Sequence, residues 1–499
     1  MLLFTALVLS VWFWRRNLKD ASLWMLLTYA GVGILAWTDF NSVAVASSAF
    51  PKILKDFIML GMVGFVQAMA VKKQISVWMA VFLIFGMFAA VHYLDQMIES
   101  DESQSMHIDE ANIGSMLVEL KEGATSDELE AFAATNGLKL ERAFFPEAAA
   151  ETYLDNYFVV DAEGVDDKQL NEQLNQLASV RYTEPNETIL VEPFLTESIT
   201  EAPAGSKSLS INDPFTGEQW AMEVLNMNDY YEVLHAQKPK KQAKVVILDT
   251  GVDGKHEDLT DNYFSIEEKY DNDPHGHGTH CAGIAAGVTN NGLGIGSLAG
   301  AGDSPFVEIS SVKVLSAGGM GQQKTIIAGI IEATDEGADV ISLSLGGRSN
   351  QSSQRAYSAA VAYAHRAGAI VVVAAGNSNR DAKDFAPANA DGVITVSAID
   401  QLLLRAPFSN RTEKIEMAVA APGVGIYSTI PGDAYKSYSG TSMACPFVAG
   451  LLGVMKSLNP DLNHSQAYAI LQATGRESSE TRITGPIVQP AAAIRAVVR

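Results

Sequence analysis

Apolar residues dominate the first 94 positions of the chain. They fall in stretches at about 2–14, 22–38, 55–71 and 75–94, separated by Arg15, Arg16 and Lys19, by a polar segment around 39–55, and by Lys72 and Lys73. Each stretch approaches the ~20 residues that a helix needs to cross a bilayer, which predicts a transmembrane region of three or four helices over 1–94. Basic residues favour the cytoplasmic side. Placing Arg15, Arg16, Lys19, Lys72 and Lys73 there leaves the bulk of the chain outside the cytoplasm, although Lys52 and Lys55 then fall on the opposite side. A cleaved signal peptide would carry its basic residues ahead of the apolar run, and here they follow it.

The pattern then changes. Residues 95–112, "DQMIESDESQSMHIDEAN", are acidic and polar and read as a linker. From 113 to 191, "SMLVELK", "LKLERAFF", "NYFVVDA" and "VRYTEPNETILV" read as strands, while "TSDELEAFAATNG" and "DDKQLNEQLNQLAS" read as helices. The order is βαββαβ, which predicts a small ferredoxin-like domain. Residues 192–211 are rich in Ser, Thr, Pro and Glu, a second linker. Over 212–499, short apolar runs ("KVVILD", "VEISSVKVL", "ADVISLSL", "AIVVVAAGN", "GVITVSAI") alternate with Ala-rich helical segments. Such continuous runs are buried on both faces, so this part predicts an α/β fold with a mostly parallel sheet.

Charge narrows the partners. Of 35 Lys+Arg and 58 Asp+Glu, residues 1–100 hold 7 and 5, which leaves 28 and 53 beyond them and a net of −25. So acidic a soluble part argues against a nucleic-acid partner, which would need a basic surface. Two cysteines, Cys281 and Cys445, are too few for a disulfide framework. They read as two buried free thiols or as one disulfide between them.

Three segments carry chemistry. "VVILDTGVDGKHEDL" ends an apolar run on Asp249 and follows it with Thr-Gly. Asp249 is then either the acid of an aspartic protease or the residue that orients a histidine. An aspartic protease needs a second Asp-Thr/Ser-Gly or a dimer of short chains; no second copy exists, and the chain is long. "DNDPHGHGTHCAGIAAG" holds His275, His277 and His280 within six residues. A zinc site wants ligands on one face of a rigid element, and Gly276 and Gly278 argue against a ligand helix here. "YSGTSMACPFVAGLLGVM" places Ser442 at a helix start, with Pro446 expected in the first turn. Free N–H groups there favour developing negative charge, as a nucleophile whose adduct becomes an oxyanion requires.

Asp249, His277 and Ser442 occur in the order of the subtilisin triad. The residues around them resemble the subtilisin-like serine proteases, and "VVVAAGN" falls where that family keeps an oxyanion-hole asparagine. "NDPFTGEQW" and "VTNNGLGIGSLA" are similar to the thermitase-like branch. The resemblance covers about 212–499 and implies a three-layer subtilisin-like catalytic domain. By the same resemblance, His277 is the base, Asp249 its orienting partner, Ser442 the nucleophile and Asn377 the oxyanion donor.

Further roles rest on that resemblance alone. Ser344, Leu345, Gly346 and Gly376 on one side, and Gly319 and Gly321 on the other, would pair with an extended polypeptide substrate. Structural calcium would be held by Asp213, Asp258 and the Asn291 side chain with carbonyls of Val288, Leu293 and Ile295, while no catalytic metal is implied. Residues 113–191 would be a propeptide that inhibits its own protease, with autocleavage in 192–211. Gln323 stands where relatives carry an aromatic lid, and Phe447 and Glu257 replace a common histidine and proline outside the chemistry. The reading that follows is a membrane-tethered serine endopeptidase zymogen with its protease domain extracytoplasmic. A catalytically silent membrane scaffold is the alternative, which loss of a triad member would favour.

Overall fold

The computed structural model describes residues 115–149, 152–161, 167–191, 209–300, 305–349 and 354–499. The chain divides into two compact units, Met1–His107 and Ile108–Arg499, and every described residue lies in the second. The expected membrane region and acidic linker therefore lie outside the described residues, as does most of the second linker.

The second unit opens with β1 (Met116–Leu120), α1 (Asp127–Asn136), β2 (Lys139–Arg142), β3 (Tyr157–Asp161), α2 (Asp167–Leu174) and β4 (Val180–Pro185). They form a four-stranded sheet in the order β2-β3-β1-β4. The pleat sends alternate residues to opposite faces. Met116, Val118 and Val160 pack with Leu129 and Leu170 of the helices. Leu117, Tyr157 and Val159 turn the other way, into the core shared with the larger domain. The final expected strand over 180–191 is in fact two. It breaks after Pro185, and β5 (Thr188–Leu190) leaves the small sheet altogether.

The larger domain continues through helices α3 (Trp220–Val224) and α4 (Met227–His235), β6 (Ala243–Asp249), α5 (His277–Ala286), β7 (Val307–Lys313) and β8 (Met320–Gln322). Then come α6 (Gln323–Asp335), β9 (Val340–Leu343), β10 (Gly347–Arg348), α7 (Arg355–Arg366), β11 (Ile370–Ala374), β12 (Phe385–Ala386), β13 (Ile394–Ile399) and β14 (Ala418–Pro422). The hairpin β15 (Ile426–Ile430) and β16 (Ala434–Tyr438) leads into α8 (Thr441–Leu458). Among the described residues the main sheet runs β14-β13-β11-β9-β6-β7 with every pairing parallel.

Both faces of that sheet are covered. Val245 and Ile247 pack with α5 and α8, whereas Val246 and Leu248 pack with α6 and α7. Full burial of such side chains stabilises by about 1.5–3 kcal/mol each. Helix α8 is 18 residues long and apolar enough to cross a membrane, yet all of it is buried, so it is the core helix. Pro446 sits in its interior and not in its first turn. A proline there supplies no N–H to the carbonyl four residues back, which is that of Ser442. That carbonyl is taken instead by Ser344 Oγ at 2.8 Å and Cys281 Sγ at 3.4 Å.

Candidate active site

The carboxyl ends of the parallel strands are where ligands bind in open α/β sheets, and the expected site residues gather there. Asp249 is the last residue of β6 and is fully buried. His277, also fully buried, opens α5. Its Nδ1 lies 2.7 and 2.8 Å from the two Asp249 oxygens. A carboxylate only accepts, so Nδ1 carries the proton and Nε2 is left as the basic nitrogen. The sequence argued against a rigid helix around these histidines, and α5 corrects that expectation. Gly276 adopts φ +93° just before it. Gly278 packs so closely that a Cβ would lie 2.0 Å from the Gly251 carbonyl oxygen. The glycines are there to bring the helix against the strand end.

The three histidines do not share one centre. His280 points its Nε2 at the Lys436 carbonyl, 2.9 Å away, and packs on the Tyr438 ring. Burial pushes it down to about 3, so it stays neutral. Asp249, His277 and Cys281 do place one ligand atom each within 4.8 Å of one another. Burial, then the Asp249 charge, raises the Cys281 thiol well above its ordinary range. Both cysteines are free thiols. The disulfide alternative is thereby set aside. Burial pushes Cys445 up to about 12.

Ser442 is the second residue of α8 and is buried. Its hydroxyl donates to the Ser344 carbonyl at 3.1 Å. Its own carbonyl meets Cys281, one turn along from His277. Asn377, just beyond β11, accepts at Oδ1 from the Thr441 N–H (2.7 Å) and the Thr441 hydroxyl (2.9 Å). Those two donors fix which way the amide faces. Its Nδ2 then lies beside Gly440, 3.4 Å from where a Cβ would be, with the Ser442 N–H nitrogen 3.6 Å from the same point. Thr441 Oγ1 also accepts from the Gly376 N–H at 3.0 Å. Sequence reasoning passed over Thr441 as part of a turn, although it is the residue that orients Asn377.

Strand β5 of the small domain lies between the two expected substrate edges. Thr188, Ile189 and Leu190 pair antiparallel with Gln322, Gly321 and Met320. Leu190 also bridges Gly346, and the Val191 N–H donates to the Gly319 carbonyl at 2.8 Å. Ile189 is fully buried in the cluster that contains Leu345. The small domain also caps two helices. Glu184 accepts from Ala356 N–H at the start of α7 (3.2 Å) and from Gln323 Nε2 (2.7 Å), and Asn186 Oδ1 accepts from Lys324 N–H at the start of α6 (2.8 Å). These are N–H groups that a helix cannot satisfy itself. Burial pushes Glu184 up to about 8. Gln323 is no lid over an open pocket here. It is buried against the small domain.

The expected calcium residues also converge. Asp213 accepts from the N–H groups of Asn290 (2.8 Å) and Asn291 (3.1 Å), and Asp258 from Asn291 Nδ2 (2.9 Å) and Ile295 N–H (2.8 Å). A Cβ on Gly294 would lie 2.1 Å from Asp258 Oδ2. Val288 is tied to the Asp258 carbonyl by its N–H (2.8 Å), and Leu293 follows in the same loop with its N–H on Asn291 Oδ1 (2.7 Å). Burial raises Asp213 and pushes Asp258 up to about 7. Two buried carboxylates without a cationic side chain among these partners fit a hard cation.

Comparison with known proteins defines the class. The Subtilase family model matches residues 240–486, and the chain belongs to that family. It is a subtilisin-type serine protease. Thermitase of Thermoactinomyces vulgaris is 41% identical over 252 residues, 49% of this chain and 85% of the relative. Subtilisin DY of Bacillus licheniformis is 41% identical over 237 residues, 46% of this chain and 82% of the relative. Among solved structures, a protease of Pseudoalteromonas arctica covers 58% of this chain and 99% of its own, at 29% identity and a TM-score of 0.51. Fervidolysin of Fervidobacterium pennivorans, described as a keratinolytic enzyme, covers 78% of this chain and 62% of its own at TM-score 0.62. At 24% identity that likeness speaks for the fold alone.

Proposed function

We propose that the protein is a membrane-tethered serine endopeptidase made as an autoinhibited zymogen, with Asp249, His277 and Ser442 as its triad. His277 Nε2 takes the Ser442 hydroxyl proton as Oγ attacks the peptide carbonyl. In the inhibited form the hydroxyl is turned to Ser344, so attack requires it to rotate toward the imidazole. Asp249 holds the tautomer and stabilises the imidazolium. Asn377 Nδ2 and the Ser442 N–H receive the oxyanion. His277 returns the proton to the leaving amine, and water hydrolyses the acyl-enzyme by the same relay. Ser344 to Gly346, Gly319, Gly321 and Gly376 bind the substrate backbone by strand addition, which reads shape more than sequence. Calcium, held by Asp213, Asp258, Asn291 and the carbonyls of Val288, Leu293 and Ile295, would neutralise the buried carboxylates and fix their loop.

The observation that carries the zymogen reading is strand β5, an extended segment of the chain's own small domain paired with β8 on one side of the groove and bridged to Gly346 on the other. Self-cleavage in 192–211 would separate the protease from the membrane segments 1–94 and leave it held by the small domain alone. The placement outside the cytoplasm rests on the basic residues that flank the apolar stretches. Fractionation of wild type against Ser442→Ala tests the reading. The wild type should yield a shortened protease that washes from membranes once the small domain is degraded, and the variant should remain full length and membrane-bound. Identical full-length, membrane-bound behaviour of both would end the self-release reading.

A further inference from the structure

We propose that Asp273, a buried carboxylate outside the triad, is a positioning residue that sets the Asp249–His277 pair by joining the chain after Asp249 to the chain around His277. The inference rests on the triad reading above and assigns it one more residue. Asp273 is 5% exposed and accepts five hydrogen bonds. Oδ1 receives the Thr250 hydroxyl (2.8 Å) and the N–H groups of His275 (3.0 Å) and Gly276 (2.8 Å). Oδ2 receives the N–H (2.9 Å) and hydroxyl (2.8 Å) of Thr279.

The bonds to His275 and Gly276 are those of an ordinary aspartate turn and would carry nothing alone. The two threonines carry the inference, because each belongs to one side of the catalytic pair. Thr250 is the residue after Asp249, and its N–H also donates to Asp249 Oδ1 at 2.8 Å. Its hydroxyl, while donating to Asp273, accepts from Gly278 N–H at 3.1 Å, the residue after His277. Thr279 reaches back in the same way, its hydroxyl accepting from Asp253 N–H at 3.0 Å. Asp273 thus closes two loops of hydrogen bonds around the Gly278–Gly251 contact. Five donors converge on this carboxylate out of water, and an ionised carboxyl offers acceptors only. Asparagine has the same shape but would turn an NH₂ toward donors that need an acceptor.

The reading is tested with peptide hydrolysis and phosphonate labelling on the protein expressed as the full chain. Asp273→Ala should lower kcat about 10²-fold with KM changed less than about 2-fold, since displacing a catalytic group by about 1 Å costs that order. Asp273→Asn and Thr250→Val should each lose about 10-fold, the scale of one buried hydrogen bond left unmade. The double variant Asp273→Ala/Thr250→Val should be no more than about 2-fold slower than Asp273→Ala, because both act through one route. A kcat within 2-fold of wild type in Asp273→Ala, a loss confined to KM, or losses that multiply in the double variant would overturn the inference. Should Asp273→Ala not fold, wild-type kcat in both Asp273→Asn and Thr250→Val overturns it equally. Wild type unlabelled at Ser442 would sink the triad reading. Wild type and Asp273→Ala labelled at equal rates would sink this inference alone.

Discussion

Asp249 and Asp258 lie nine residues apart on one stretch, and both are fully buried. Their neighbours make them different acids. Asp249 faces an imidazole across 2.7 Å, a group that can gain and release a proton. Asp258 faces the Asn291 amide and the Ile295 N–H, neither of which can take a charge. Burial pushes Asp258 up to about 7, with the neighbouring Asp213 and Glu257 adding repulsion. A buried carboxylate is costly unless something compensates it. A titratable partner supplies that compensation at Asp249, and on the proposed function a bound cation would supply it at Asp258.

The largest effect should come from breaking the first pairing. Asp249→Asn keeps the shape but favours the wrong imidazole tautomer, and kcat should fall about 10⁴-fold, with the folded circular dichroism spectrum retained. Asn377→Ala should cost about 10²–10³ in kcat, a magnitude taken over from subtilisin. A loss of that size at Asp258 as well would erase the contrast. Instead, Asp258→Asn at saturating calcium should keep kcat within about 2-fold and should no longer gain thermal stability from calcium. In the wild type, calcium at about 100 times its Kd should stabilise by ~2.7 kcal/mol, a Tm rise of about 5–10 °C.

The smallest effect is the pH dependence of that rise. Asp258 is raised in the fold above an unfolded value near 3.9. Without a cation, its favourable contribution is complete below about pH 4 and is lost as pH rises through about 7. Calcium replaces the proton, so its stabilisation should be larger at pH 8 than at pH 5. Equal Tm increments at the two pH values would show that Asp258 does not hold the ion.

The parallel strands were legible because runs such as "KVVILD" are apolar on both faces, whereas Asp249, His277, Ser442 and Asn377 became candidates through the resemblance of the segments around them to the subtilisin-like proteases. Other elements left weaker signals. Strand β14, "AVAAP", reads as helix by its alanines, and β16, "AYKSY", is half-exposed and polar. The break after Pro185 depends on what β5 pairs with, and that partner is the distant β8. Pro446 was read one turn too early, since its tolerance depends on Ser344 and Cys281 taking up the Ser442 carbonyl. Asp273 stands in plain view four residues before His277. Its role is set by Thr250 and Thr279, through bonds that no periodicity announces.

The central claim is that Asp249 serves a nucleophile at Ser442 and does not attack through water. Treatment of the processed protein with a phosphonylating serine reagent, followed by peptide mass spectrometry and an assay of peptide hydrolysis, tests it most directly. The account predicts one phosphonyl group on Ser442 and loss of hydrolysis in proportion to labelling. Full hydrolytic activity with Ser442 labelled, or hydrolysis that persists in Ser442→Ala, would contradict it.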